Sequence, residues 1–293
     1  MKFIRVLPVL LLASAFAHAQ NWHVGVFGGA SAYNGDLVDK IFPAHSQTGG
    51  ALGLDLTYEY NEHINIRGGF TYGRVSGFDR YSNKEALIDR NLSFETAISE
   101  FSLVGEYNIF NLYETKFTPY IYAGIAVFHY NPFAYDLTGN KIHLKPLSTE
   151  GEGITGYNNR VYSLTQPAIP LGVGIKFAVT DNIRVGLEAG YRKLFTDYLD
   201  DVSKSYIDQN DLLAARGQQA VDMAYRGDET ATGSPLYPAK GAQRGNSKNK
   251  DSYYFVGLHL TFRLGTSDGN GGGSRSGGHR SSRKRYGCPA NML

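Results

Sequence analysis

Residues 51–60 place Leu52, Leu54, Leu56, Tyr58 and Tyr60 on one side of an extended chain. Ala51, Gly53, Asp55, Thr57 and Glu59 fall on the other. A period of two is the signature of a β-strand with unlike faces. Eight such stretches can be read along the chain, at about 22–31, 48–60, 63–74, 95–109, 118–130, 167–179, 183–195 and 252–264. Ile64, Ile66, Phe70 and Tyr72 share a face in the third, and Phe101, Leu103, Tyr107 and Ile109 in the fourth. Leu171, Val173, Ile175 and Phe177 do so in the sixth, and Ile183, Val185, Leu187 and Tyr191 in the seventh. The eighth gives Tyr254, Val256, Leu258, Leu260, Phe262 and Leu264. The fifth is apolar on both faces, and alternation does not orient it.

Alternation alone does not tell whether the apolar side meets a core or lipid. The connections do. In order they run to about 16, 2, 20, 8, 36, 3 and 56 residues, long and short by turns. Asn61-Glu62 and Thr180-Asp181-Asn182 are tight-turn sequences. A sandwich with Greek-key connections has no reason for this order. An up-and-down membrane barrel with short turns at one end and long loops at the other produces it. The expectation is an all-β protein, an eight-stranded antiparallel up-and-down transmembrane β-barrel with long extracellular loops at 32–47, 75–94, 131–166 and 196–251.

The N-terminus fits export. Lys2 and Arg5 precede an apolar run at residues 6–17, and Ala17-His18-Ala19 makes a small-x-small cleavage site before Gln20. The run is shorter than the ~20 residues that a spanning helix needs. No cysteine follows the cleavage site, which argues against a lipoprotein, and the single Cys288 allows no internal disulfide. The division expected is a signal peptide at 1–19, a barrel at 20–264 and a basic tail at 265–293.

The face opposite the apolar one gives a lumen set. Its acids are Asp55, Glu59, Glu100, Glu106 and Glu188, and its bases are Arg67, Lys176, Arg184, Arg192 and Arg263. Five of each sign allow a paired network. An eight-stranded barrel is just wide enough for side chains to fill it, so a plugged barrel is expected rather than a pore. Structural ion pairs offset the cost of buried charge, and this reading outweighs a charged relay.

Sequence offers little chemistry. The eight histidines show no paired spacing, and no G-x-S-x-G, H-E-x-x-H or Cys/His zinc set occurs. The glycine-rich run at 269–278 lacks the strand and helix of a phosphate loop and reads as a linker. No enzyme activity, cofactor, resident metal, nucleic acid or small-molecule substrate is expected. Asp197, Asp200 and Asp201 are spaced closely enough to raise Ca²⁺, against the commoner reading of a solvated loop or cap. Residues 208–224 suggest a helix capped by Asp208 or Asn210, which lids the barrel mouth, meets a partner or packs on its own loop. In the tail, Arg275, Arg280, Arg283, Lys284 and Arg285 face only Asp268. This tether suits an acidic partner, peptidoglycan or lipid head groups. Its 29 residues reach about 30 Å.

Several segments carry a family resemblance. They are Trp22-His23-Val24-Gly25-Val26-Phe27-Gly28-Gly29, Tyr33-Asn34-Gly35-Asp36-Leu37, Pro119-Tyr120-Ile121-Tyr122-Ala123-Gly124 and Pro170-Leu171-Gly172-Val173-Gly174. Others are Phe195-Thr196-Asp197-Tyr198-Leu199-Asp200-Asp201-Val202-Ser203, Arg244-Gly245-Asn246 and Asp251-Ser252-Tyr253-Tyr254-Phe255; the most specific part is Thr196–Ser203 followed by Arg244-Gly245. With these, residues 20–264 resemble the PorG-like outer-membrane barrels of the Bacteroidota type IX secretion system. The resemblance implies a barrel in the cell outer membrane with its tail in the periplasm. It implies partners in the periplasmic ring, formed by a lipoprotein and its companion, and in the outer-membrane translocon. A stand-alone structural or surface barrel is the alternative, and a barrel lipid-modifying enzyme a weaker one.

Overall fold

The computed structural model describes residues 21–38, 47–157 and 160–265. The leader, Cys288 and the tail residues Arg275, Arg280, Arg283, Lys284 and Arg285 lie outside the described residues.

Eight strands form the barrel: β1 (Trp22–Asn34), β2 (Thr48–Glu59), β3 (Ile64–Phe78), β4 (Ser93–Asn108), β5 (Phe117–His129), β8 (Thr165–Ala178), β9 (Ile183–Leu194) and β10 (Ser252–Leu264). Each pairs antiparallel with its neighbour in sequence, and β1 closes on β10 in a register running from Trp22↔Leu264 to Asn34↔Ser252. Closure leaves no unpaired barrel edge. The long connections carry structure of their own. A two-stranded hairpin, β6 (Phe133–Tyr135) and β7 (Lys141–His143), extends the sheet from β4 through Glu95↔Phe133. Three short helices follow in chain order: α1 (Glu85–Arg90), α2 (Gln209–Arg216) and α3 (Gln218–Ala224).

The period-two reading carries over strand by strand. Leu54, at 62% exposure, stands outward with Leu52 and Leu56, while Glu59 faces in. The fifth strand resolves too: Ile121, Ile125 and Val127 face out, and Tyr120, Tyr122 and Phe128 face in. Barrel strands of 12 to 16 residues exceed the ~9–11 that a tilted strand needs to cross a bilayer. Toward the long-loop end the outer row of β3 and β4 turns polar at Arg74, Ser76, Ser99 and Glu95. That change marks the upper limit of the apolar band. Aromatic pairs lie near both limits. Trp22 with Tyr58 (4.9 Å between ring centres) and Phe117 with Phe177 (5.0 Å) sit at the short-turn end, and Tyr191 with Tyr254 (5.3 Å) near the loops. Among the described residues no helix is long and apolar enough to cross a membrane, which bears on helices alone.

The helix expected over 208–224 is two helices. Asp208 caps α2 by accepting from the Asn210 and Asp211 amides, as expected for an Asx cap. The chain then breaks at Gly217, whose φ of +84° is a left-handed conformation that an L side chain resists.

Leu54→Arg is expected to remove most folded, heat-modifiable barrel from membranes, because a charge at mid-band costs about 2–4 kcal/mol. Asp55→Asn should leave most of it. Equal loss from both would mean that the faces are inverted.

Candidate functional site

Two layers fill the barrel, one ionic and one apolar. The ionic layer occupies the lumen. Arg67 on β3 sits between Glu106 on β4 (Nε to Oε1, 3.0 Å) and Glu188 on β9 (Nη1 to Oε2, 2.7 Å). Lys176 on β8 bonds Glu106 from the other side. Tyr120 donates to Glu188 at 2.7 Å. Above this centre Arg192 pairs with Glu100 at 3.0 Å, and Tyr253 donates to the same carboxylate at 2.6 Å. Below it Arg184 pairs with Glu59 at 2.9 Å. The predicted lumen set therefore points inward and pairs across the barrel. Arg263 is the exception: it is only half-buried near the short-turn end, where its Nη2 donates to the Tyr113 hydroxyl at 2.7 Å.

Sequence reasoning missed His259 and the inward tyrosines. His259 Nε2 lies 2.7 Å from Asp55 Oδ2, while its Nδ1 lies 3.1 Å from Arg67 Nη1. Because the guanidinium can only donate, Nδ1 accepts and Nε2 carries the proton given to Asp55. Parity on β10 places His259 in the row of Arg263, so the signal was present; the reading selected only formal charges. The lumen is crowded enough that a Cβ on Gly25 would fall 2.3 Å from an Asp55 oxygen. One void beside Arg67 and Glu188 measures about 30 Å³, room for about one water.

The apolar layer is a cap at the long-loop end. Leu144, Leu147, Leu199, Val202, Ile207, Leu212, Val221 and Met223 bury against the barrel mouth at Phe94, Ile98, Phe128 and Tyr253. The α2–α3 region thus closes the mouth. Polar locks tie the loops together. The Tyr33 hydroxyl at the end of β1 lies 2.6 Å from Asp200 and 3.0 Å from Asp251, with its one proton given to the nearer Asp200, and Asp251 accepts the Leu199 amide at 2.9 Å. Arg244 pairs with Glu150 at 3.3 Å and donates to the Asp201 carbonyl at 2.7 Å. Arg90 forks onto Asp79 with two 2.7 Å bonds.

The aspartates that raised Ca²⁺ go separate ways. Asp200 takes Tyr33, and Asp201 takes Thr149 and Tyr162. Asp197 has the Ser203 hydroxyl beside it, without a well-formed hydrogen bond to either oxygen. Among the described residues no group of three or more His, Cys, Asp and Glu converges as a metal site.

The family model described as "Domain of unknown function (DUF6089)" matches residues 2–216, which span β1 to β9 and end with α2. The chain belongs to the DUF6089 family. A search of curated proteins finds no match to this DUF6089 sequence. Solved structures similar to it include Neisserial surface protein A, at 9% identity over 83% of this chain and 97% of that one, with a TM-score of 0.42. The outer membrane protein OprG from Pseudomonas aeruginosa gives 9%, 83%, 97% and 0.39. A major outer membrane protein from Thermus thermophilus gives 12%, 82%, 98% and 0.39.

Burial pushes several carboxyls of the DUF6089 cap upward: Asp201 to about 6, against the pull of Arg244, Asp197 to about 7 and Glu152 to about 8. Asp200 rises well above the carboxylate range through burial and the nearby Asp251, and Asp251 through burial and the nearby Asp197. A carboxyl raised by folding stabilises most below its unfolded value, near 4, and that contribution is lost as pH rises through the folded value. The cap should therefore be firmest in acid and loosen between about pH 6 and 8. Proteolysis of the 225–251 segment should be faster at about pH 9 than at about pH 5, with the barrel still heat-modifiable; equal rates would refute this. In the lumen, Arg67→Met strips Glu106 and Glu188 of a shared cation. It should lower stability to urea by about 3–5 kcal/mol, and a loss under 1 would mean water screens the network.

Proposed function

We propose that this chain is a non-enzymatic outer-membrane barrel that anchors or couples a periplasmic protein-secretion ring to the membrane. The observation that carries the reading is the filled interior: a lumen closed by ion pairs, under a cap with its own apolar core. Such a molecule works through its surface: among the described residues its axis holds neither an open pore nor a catalytic cleft. The outward apolar band suits lipid. In this reading the long loops lie outside the cell, and the short turns at 60–63, 109–116 and 179–182 face the periplasm with both chain ends.

The type IX assignment draws on the resemblance. Its most specific part, residues 196–203 with Arg244 and Gly245, supplies locks of the cap through Asp200, Asp201 and Arg244. Partners would be the ring proteins and the translocon, met by the turns and by the tail with Arg275, Arg280, Arg283, Lys284 and Arg285. A stand-alone surface barrel is the second reading, favoured by Leu137, Val161 and Leu236, which stand exposed on the cap.

Deletion separates the two. Loss of type IX cargo secretion supports the first; intact secretion with altered envelope integrity supports the second. Truncation after Gly265, or Arg283, Lys284 and Arg285 all changed to Glu, should keep the barrel folded and weaken ring recovery in a pull-down. Full recovery would move the contact to the turns.

A further inference from the structure

Asp197 presents a problem that the cap does not solve. It is 2% exposed, and its carboxyl has the Ser203 hydroxyl beside it without a well-formed hydrogen bond to either oxygen. Ser203 is near enough to draw its pKa down, but burial outweighs it and holds the carboxyl at about 7. A buried polar group left unpaired costs of the order of 1–3 kcal/mol, and such groups are normally satisfied. The next residue repeats the pattern: the Tyr198 hydroxyl is also buried and has the same Ser203 beside it, again without a well-formed hydrogen bond.

Both residues line one cavity of about 310 Å³, over the upper ends of β8, β9 and β10. Its walls are chemically mixed. The Tyr198 ring stacks on Tyr162 at 4.7 Å and 7°, giving a flat aromatic wall. Ser163, Ser203 and Ser247 add hydroxyls, and Lys250 adds a cation. The rim is apolar. Val161 and Phe195 are both exposed there, and Phe195 continues the outward row of Leu187 and Tyr191 on β9. The cavity thus opens where the lipid-facing row ends and the loops begin.

We propose that this cavity binds the sugar ring of a glycolipid in the outer leaflet. A half-protonated carboxyl both donates and accepts, which suits sugar hydroxyls or an amino group. The stacked tyrosines offer an apolar plane to the C–H face of the ring, and Lys250 meets an acidic substituent. Phe195 then contacts the acyl region below. The volume sits at the small end of ligand sites, consistent with one ring rather than a chain. The occupant follows from position: an aromatic edge at the lipid boundary faces head groups. This inference rests on the proposed orientation, with the long loops outside.

The test uses the full chain, purified in mild detergent. It is titrated by native mass spectrometry with lipopolysaccharide-derived lipid A, with its deacylated sugar and with phosphatidylglycerol. Wild type should hold lipid A, and Asp197→Leu should weaken it roughly tenfold or more, while exposed Asp222→Asn leaves it unchanged. If Asp197→Leu fails the heat-modifiability check, Tyr198→Phe serves, with a smaller loss of the same sign. Deacylated sugar binding as tightly as lipid A would overturn the lipid source. Equal binding of phosphatidylglycerol, or no effect of either variant, would overturn the site. An epitope at Ala231 separates this from the function: labelled on intact cells, a failed titration sinks only the glycolipid; labelled from the periplasmic side, both fall.

Discussion

Everything in this molecule hangs on the seam between β1 and β10. A sheet of eight strands with an apolar outer face has no stable open form in lipid, since each unpaired amide or carbonyl at an edge would be buried without a partner. The seam runs in unbroken register from Trp22↔Leu264 to Asn34↔Ser252. Once it forms, parity decides the rest. Every second residue faces out, and what remains must fill a space only wide enough for side chains.

Two different solutions fill that space. In the lumen, charges are brought together in alternation, with Arg67 between Glu106 and Glu188 and tyrosine hydroxyls completing the carboxylates. Such an arrangement tolerates little, since removing one partner strands another. At the mouth the filling is apolar, with Leu199, Ile207, Leu212 and Met223 against Phe94 and Phe128; there Glu150 and Asp79 pair with Arg244 and Arg90, while burial raises Asp197, Asp200 and Asp251. The contrast follows from parity: strand positions were left for polar side chains, whereas loops are free to supply apolar ones.

The sequence shows the barrel well because alternation is a local, physically forced signal. Leu52, Leu54 and Leu56 have nowhere to go but out, and Asp55 and Glu59 nowhere but in. The fifth strand resisted because Tyr120 and Tyr122 count as apolar by type, yet their hydroxyls belong to the lumen; Tyr120 serves Glu188. His259 was passed over because charge was counted instead of hydrogen-bonding capacity. The cap left almost no trace. Its core joins residues far apart in chain, without a period. Asp197, Asp200 and Asp201 look like a chelating set in sequence, but the backbone turns between them, with Asp201 at a φ of +66°, and sends each to a different place.

The lock made by Tyr33, Asp200 and Asp251 has a consequence for assembly. Tyr33 belongs to the first strand and Asp251 to the residue just before the last, more than two hundred positions apart. They meet only when the two ends of the sheet have joined in the right register; a slip of one residue turns Tyr33 to the opposite face. The lock can therefore fasten only on a seam that has joined in register. A barrel closed out of register carries an unfastened crown, whose loops stay open to proteases, whereas a correct one seals itself.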